Sequence, residues 1–106
     1  MKKGYEIFIT QSAENDFQTI WEYISQSNPL NAIEFLDQIE EKISTLTHEP
    51  ARCPIIPENE FYRDGIYRHL VHKDYRIIFS IREKSIYIMR VFHGAKLLDI
   101  SELENS

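Results

Sequence analysis

A chain of 106 residues is long enough for one domain, here residues 1–106, with a real core, but too short to bury a large cofactor site as well. Hydrophobic content of 42% and charged content of 27% are those of a water-soluble domain, and no apolar run approaches the roughly 20 residues of a membrane span. A net charge of −5 argues against indiscriminate binding to nucleic acid, and a single cysteine, Cys53, excludes an internal disulfide. No Cys/His spacing of a metal site is present, so neither metal nor cofactor is expected. The N-terminus, Met1-Lys2-Lys3-Gly4, is basic but runs into a short strand instead of an apolar signal segment, which points to a cytoplasmic protein without a membrane partner.

Tyr5 to Thr10 reads as that strand, and it is expected to join a sheet at its edge. Tyr5, Ile7 and Ile9 alternate with Glu6, Phe8 and Thr10, although Phe8 spoils a clean polar face. A helix follows from Ser12 to Gln26, with Thr10 or Ser12 as its cap and Ala13, Phe17, Ile20 and Ile24 as its apolar stripe. Ser25-Gln26-Ser27-Asn28-Pro29 ends this helix and starts the next, since Asn is a good N-cap and Pro a good first helical residue. The second helix is expected from about Pro29 to Thr47. Ala32, Phe35, Leu36, Ile39, Ile43 and Leu46 make its buried stripe, and Glu34, Asp37, Glu40, Glu41 and Lys42 its wet face. The short connector implies an antiparallel α-hairpin.

His48 to Glu60 is a loop broken by Pro50, Pro54 and Pro57, with Ile55 and Ile56 expected to tuck against the core. From Tyr67 onward β-branched and aromatic residues alternate with basic ones, which predicts a three-strand antiparallel meander. Its turns fall at His72-Lys73-Asp74 and Glu83-Lys84-Ser85. On the middle strand Tyr75, Ile77, Phe79 and Ile81 should face the helices, and Arg76, Ile78, Ser80 and Arg82 the other side. Leu97 to Glu104 would add a helical turn or an extended arm. The order β-α-α-β-β-β, an antiparallel sheet with an α-helical hairpin packed on one face, is an α+β fold.

Charge is unevenly spread. Acids prevail up to residue 60, whereas Arg63, Arg68, Lys73, Arg76, Arg82, Lys84, Arg90 and Lys96 face only Asp64, Asp74 and Glu83 in the stretch 63–96. A basic surface on an acidic protein suggests one particular anionic partner, or else pairing with the chain's own acids.

Several motifs, in order, resemble the RelE/ParE superfamily of bacterial toxins, and more its ParE-like than its RelE-like members. They are Ala13-x-x-Asp16-Phe17-x-x-Ile20-x-x-Tyr23-Ile24, Asn28-Pro29-x-x-Ala32, Tyr67-Arg68, Asp74-Tyr75-Arg76-Ile77-Ile78-Phe79 and Val91-Phe92-His93-Gly94-Ala95-Lys96. The resemblance covers nearly the whole chain. It implies the toxin half of a type II toxin–antitoxin pair, encoded for plasmid stabilisation or growth inhibition, and a cognate antitoxin that wraps it in a hetero-oligomer. Some members of the superfamily cut messenger RNA on the ribosome without a metal; the ParE-like members poison DNA gyrase.

For metal-free RNA cleavage the resemblance implies Arg76 at the scissile phosphate and His93 as an acid/base, since a guanidinium suits phosphate and an imidazole titrates near neutrality. Arg68, Arg90 and Lys96 would add charge for a target, and Tyr75 and Tyr87 would stack on a base. Alternatively Arg76 serves structure or the antitoxin's acids, and His93 only ends the last strand. Lys96 stands where the superfamily often has Arg, and Leu97 where Asp is common. The first meander strand lacks lysine and the protein is acidic, whereas an RNA-lined site rewards positive charge. Gyrase poisoning is therefore the leading expectation, an mRNA interferase the alternative, and a non-toxic antitoxin-binding remnant the third.

Overall fold

The computed structural model describes residues 4–61 and 65–94, without the side chains of residues 60 and 61. Strand β1 (Glu6–Ile9) leads into helix α1 (Gln11–Ser27) and helix α2 (Pro29–Ser44). Three short 3₁₀ turns, Thr45–Thr47, Pro50–Arg52 and Pro57–Phe61, then carry the chain to β2 (Arg68–His72), β3 (Tyr75–Arg82) and β4 (Ser85–His93). Lys96 and the segment 97–104 lie outside the described residues.

Helix boundaries follow the capping chemistry. The Thr10 hydroxyl accepts from the Ala13 amide at 3.2 Å, so Thr10 and not Ser12 is the cap. Asn28 Oδ1 accepts from the amides of Leu30 and Asn31 at 3.0 and 3.3 Å, with Pro29 in the first turn. The α-helical part of α2 ends at Ser44, earlier than the apolar stripe indicates, because the chain tightens there into a 3₁₀ turn that still buries Leu46.

The sheet has four strands in the order β1-β4-β3-β2. The meander is antiparallel as expected, with turns at Lys73-Asp74 and Glu83-Lys84 in which Lys73 and Glu83 take left-handed φ of 55° and 57°. β1 departs from the expectation of a wholly antiparallel sheet: it runs parallel to β4, pairing Glu6 with Ser85 through Ile9 with Ile88, so the sheet is mixed. Alternation of side chains is the same for either strand direction, so the sequence pattern leaves direction open. The α-hairpin lies within the long connection that parallel pairing needs.

Ile77, Phe79, Ile86, Ile88 and Val91 of the sheet meet Ala13 and Ile20 of α1 and Ile39 and Ile43 of α2 in the main core, with Tyr75 and Ile81 at its margin. A second apolar cluster, which the periodicity leaves unseen, lies on the other face: Ile78, Met89 and Phe92 are covered by Ile56 and Tyr67 of the loop. Ile56 is 1% exposed, whereas Ile55 is 47% exposed and does not tuck in. Ile55 forms an isolated bridge to Arg68, and neighbouring residues of an extended segment point to opposite sides. A register shift on β4 makes Met89 the extra residue, since Phe79 faces Ile88 and Ile78 faces Arg90.

Candidate functional site

Two arginines near one end of the sheet are each gripped by a carboxylate. Arg76 stands second on β3 and is 9% exposed. Its Nη1 and Nη2 donate to the two carboxylate oxygens of Glu58 at 2.8 and 3.0 Å, and its Nε donates to His69 Nδ1 at 3.0 Å. His69 must therefore carry its proton on Nε2 when neutral. Burial, then the adjacent guanidinium, holds the His69 pKa below its ordinary range. Hydrogen bonding from Arg76 holds the Glu58 carboxyl below its own.

Arg90 follows the irregularity on β4, and its Nε and Nη2 donate to Asp16 of α1 at 2.7 and 3.0 Å. The same carboxylate accepts the Val91 amide at 2.8 Å. β1 stops at Ile9, so the outer side of β4 beyond Ile88 loses its strand partner. Asp16 and the Thr10 hydroxyl, which lies 2.8 Å from the Ile88 carbonyl, take over the edge groups there. Phe92 lies between the two grips, with the Arg76 and Arg90 guanidinium carbons 6.0 and 5.7 Å from its ring centre.

Of the residues singled out from the sequence, Tyr75, Arg76 and His93 come together. Tyr75 pairs with His93 across the strands and meets its ring edge-on at 5.6 Å. Gly94 closes this corner, donating to the Asp74 carbonyl; a Cβ there would lie 3.2 Å from that oxygen and 3.5 Å from Arg76 Cγ. An open cleft of about 400 Å³ borders the corner, with Lys73, Tyr75, Arg76 and His93 in its wall. Tyr75 also packs on Phe35 of α2, and burial raises its pKa, so its phenol is a neutral group here.

The other candidates lie apart. Arg68 donates to the carbonyls of Ala51 and Cys53 at 3.1 and 2.6 Å and so pins the proline loop to β2. Tyr87 stacks on Phe8 at 5.3 Å, with the Arg82 guanidinium 5.7 Å from its ring, toward the opposite end of β4. Lys96 is outside the described residues. Among the described residues no group of three or more His, Cys, Asp or Glu is arranged to hold a metal, and no helix is long and apolar enough to cross a membrane. Cys53 is buried, and burial raises its thiol pKa, which makes it a poor nucleophile.

Glu58 is the member of this arrangement that the sequence did not announce. It stands in the proline loop, 18 residues from its arginine, with no periodicity to link them. Asp16 is named from sequence only as a motif residue, and its partner is 74 residues away.

The sequence profile of the family described as ParE toxin of type II toxin-antitoxin system, parDE, matches residues 7–98. Among solved structures, the chain is similar to one from the chromosomal ParDE toxin–antitoxin system of P. aeruginosa. That likeness has a TM-score of 0.67 at 21% identity and covers 84% of this chain and 95% of the other. It is also similar to a chain of the toxin–antitoxin complex RelBE2 from Mycobacterium tuberculosis, with a TM-score of 0.54 at 21% identity, covering 85% and 98%. At that identity the two structures bear on the fold alone, and both agree with two helices on a four-stranded sheet. No curated protein matches the sequence significantly. With the profile spanning most of its length, the chain belongs to the ParE toxin family of type II toxin–antitoxin systems.

Proposed function

We propose that this toxin arrests bacterial growth by poisoning DNA gyrase, without cutting RNA, and that a cognate antitoxin neutralises it by binding the toxin in a hetero-oligomer. The observation that carries the reading is the grip on Arg76. Metal-free cleavage of RNA requires a cation free to take charge building on the phosphate as the 2′-oxygen attacks. Arg76 has both arms on Glu58 and its Nε on His69, and is 9% exposed. Arg90 is likewise committed to Asp16. The family is one of type II toxin–antitoxin systems, and the similar chains come from a ParDE system and a RelBE2 toxin–antitoxin complex, which supports an antitoxin partner.

One observation favours a second reading. Lys73, Tyr75, Arg76 and His93 share an open cleft, and a substrate that displaced Glu58 would find a cation, a ring and an imidazole together. That would make the toxin a ribosome-dependent mRNA interferase.

Induction of the toxin alone in a susceptible bacterium, with pulse-labelling of DNA and protein synthesis in parallel, separates these readings. The expected result is an early stop in DNA synthesis while translation continues. An early stop in translation would transfer the assignment to the interferase. Unchanged growth would make the protein an antitoxin-binding remnant.

A further inference from the structure

The corner that holds Tyr75 and His93 has a second opening, on the helix side of the sheet. β1 stops at Ile9, level with Ile88, so among the described residues no strand flanks β4 where Val91 and His93 stand. α1 roofs that stretch instead. Asp16, Thr19, Ile20 and Tyr23 recur at three- and four-residue spacing and so share one face of the helix. Val91 and His93 are two apart on β4 and share the facing side of the sheet, with Tyr75 directly across from His93. Between the two layers lies a slot of about 260 Å³. Ile20 and Val91 are buried at its floor, whereas Tyr23 at its mouth is 72% exposed.

The slot is built to hold a side chain and not an anion. The Thr19 hydroxyl donates to the Asn15 carbonyl at 3.1 Å, and burial keeps the Tyr75 phenol neutral. Asp16 has both oxygens on Arg90, and an anion entering here would meet that carboxylate. What the walls offer is apolar area and aromatic rings, the ingredients of a protein hot spot. Pockets that bury a small molecule whole hold roughly 300–1,000 Å³, so this slot suits a single large side chain. Next to it, across Tyr75 and His93, the cleft of about 400 Å³ presents Lys73, exposed in the β2–β3 turn. Burial, then Lys73 and Lys42, pushes His72 toward its neutral form, which places two cations on this side, with Asp74 opposing them. With Arg76 and Arg90 tied to carboxylates, apolar area and Lys73 are what this corner still presents to a target.

We infer that Tyr23, Tyr75 and His93 frame an anchor slot for the toxin's protein target, which enters it with one large apolar side chain borne on an acidic segment. The acid beside the anchor would face Lys73, where opposite charge speeds encounter and fixes orientation. The inference rests on the reading above that the target is a protein, DNA gyrase, and not RNA.

Binding of the purified toxin to DNA gyrase and, separately, to its antitoxin, measured by surface plasmon resonance, tests it. Tyr23→Lys puts a charge at the mouth of the slot, and Thr19→Phe fills it. Both positions are exposed, so both variants should fold, which circular dichroism checks. Each is expected to weaken gyrase binding about tenfold or more, the loss that spoiling an anchor brings, and to leave antitoxin binding within about twofold of wild type. Lys73→Glu should weaken gyrase binding about three- to fivefold, mainly through slower association, and flatten its salt dependence. Ile55→Lys, a charge on an exposed residue of the proline loop, should bind gyrase as the wild type does. Gyrase binding unchanged in either folded slot variant overturns the inference. So does an equal or greater loss of antitoxin binding, which would give the slot to the antitoxin. A wild-type toxin with no affinity for gyrase is a different result: it overturns the reading beneath the inference, and the inference with it.

Discussion

The two arginine grips differ in what supports the carboxylate. Asp16 is carried by α1 between the buried Ala13 and Ile20, and its oxygens serve both a side chain and a strand amide, Val91. It is part of the sheet's edge. Glu58 hangs from a short turn in the proline loop and serves the side chain of Arg76. Similar bidentate geometry thus does two jobs: one grip finishes the edge of the sheet, and the other ties the proline loop to β3.

The largest effect is expected from Asp16→Ala. That change leaves the mostly buried Arg90 without its carboxylate and the Val91 amide without an acceptor, and should destabilise the protein by about 3 kcal/mol in urea denaturation. Glu58→Ala should cost less, about 1–2 kcal/mol, because its side chain is 22% exposed. Equal losses in the two variants would erase the distinction between them.

Acid sharpens the same contrast. His69 is held below its ordinary 6.5 and Glu58 below its ordinary 4.5, so in each case the unfolded chain binds the proton more readily. Stability is complete above the ordinary value and is lost as pH falls through the lowered one. The wild type should therefore weaken in two acid steps, the first beginning below about pH 6.5 and the second below about pH 4.5. His72, also lowered by burial, contributes to the first step. In Glu58→Gln the lower step should shrink while the upper one remains, which melting curves across pH 3–8 would read. As the smallest effect, Asn28→Ala at the α2 cap should cost about 1 kcal/mol in either background, being remote from both grips.

Much of this fold is legible in the sequence, because its elements are written in local patterns. The stripe Ala13, Phe17, Ile20, Ile24, the Asn28-Pro29 junction and the alternation through Tyr75, Ile77, Phe79 and Ile81 each depend on residues a few positions apart. The ordered motifs carried the resemblance to ParE-like toxins, which the family match upholds. What stayed hidden depends on long-range placement: the parallel direction of β1, the extra residue Met89, the outward turn of Ile55 and the second apolar cluster. The site was half legible. Tyr75, Arg76 and His93 do meet at one corner, but whether an arginine is available for chemistry depends on its partners. Glu58 and Asp16 are supplied across 18 and 74 residues of chain.

On the proposed function, Arg76 serves the structure through Glu58 and toxicity does not pass through its charge. The double variant Arg76→Met/Glu58→Met tests this most directly, because an ion pair in a largely buried site can be exchanged for apolar groups of similar size at little cost in stability. Its melting temperature and its ability to arrest growth on induction without antitoxin would be measured beside the wild type. The expected result is a folded protein that arrests growth as the wild type does. A folded double variant that leaves growth unimpaired would contradict it and return Arg76 to the reacting groups.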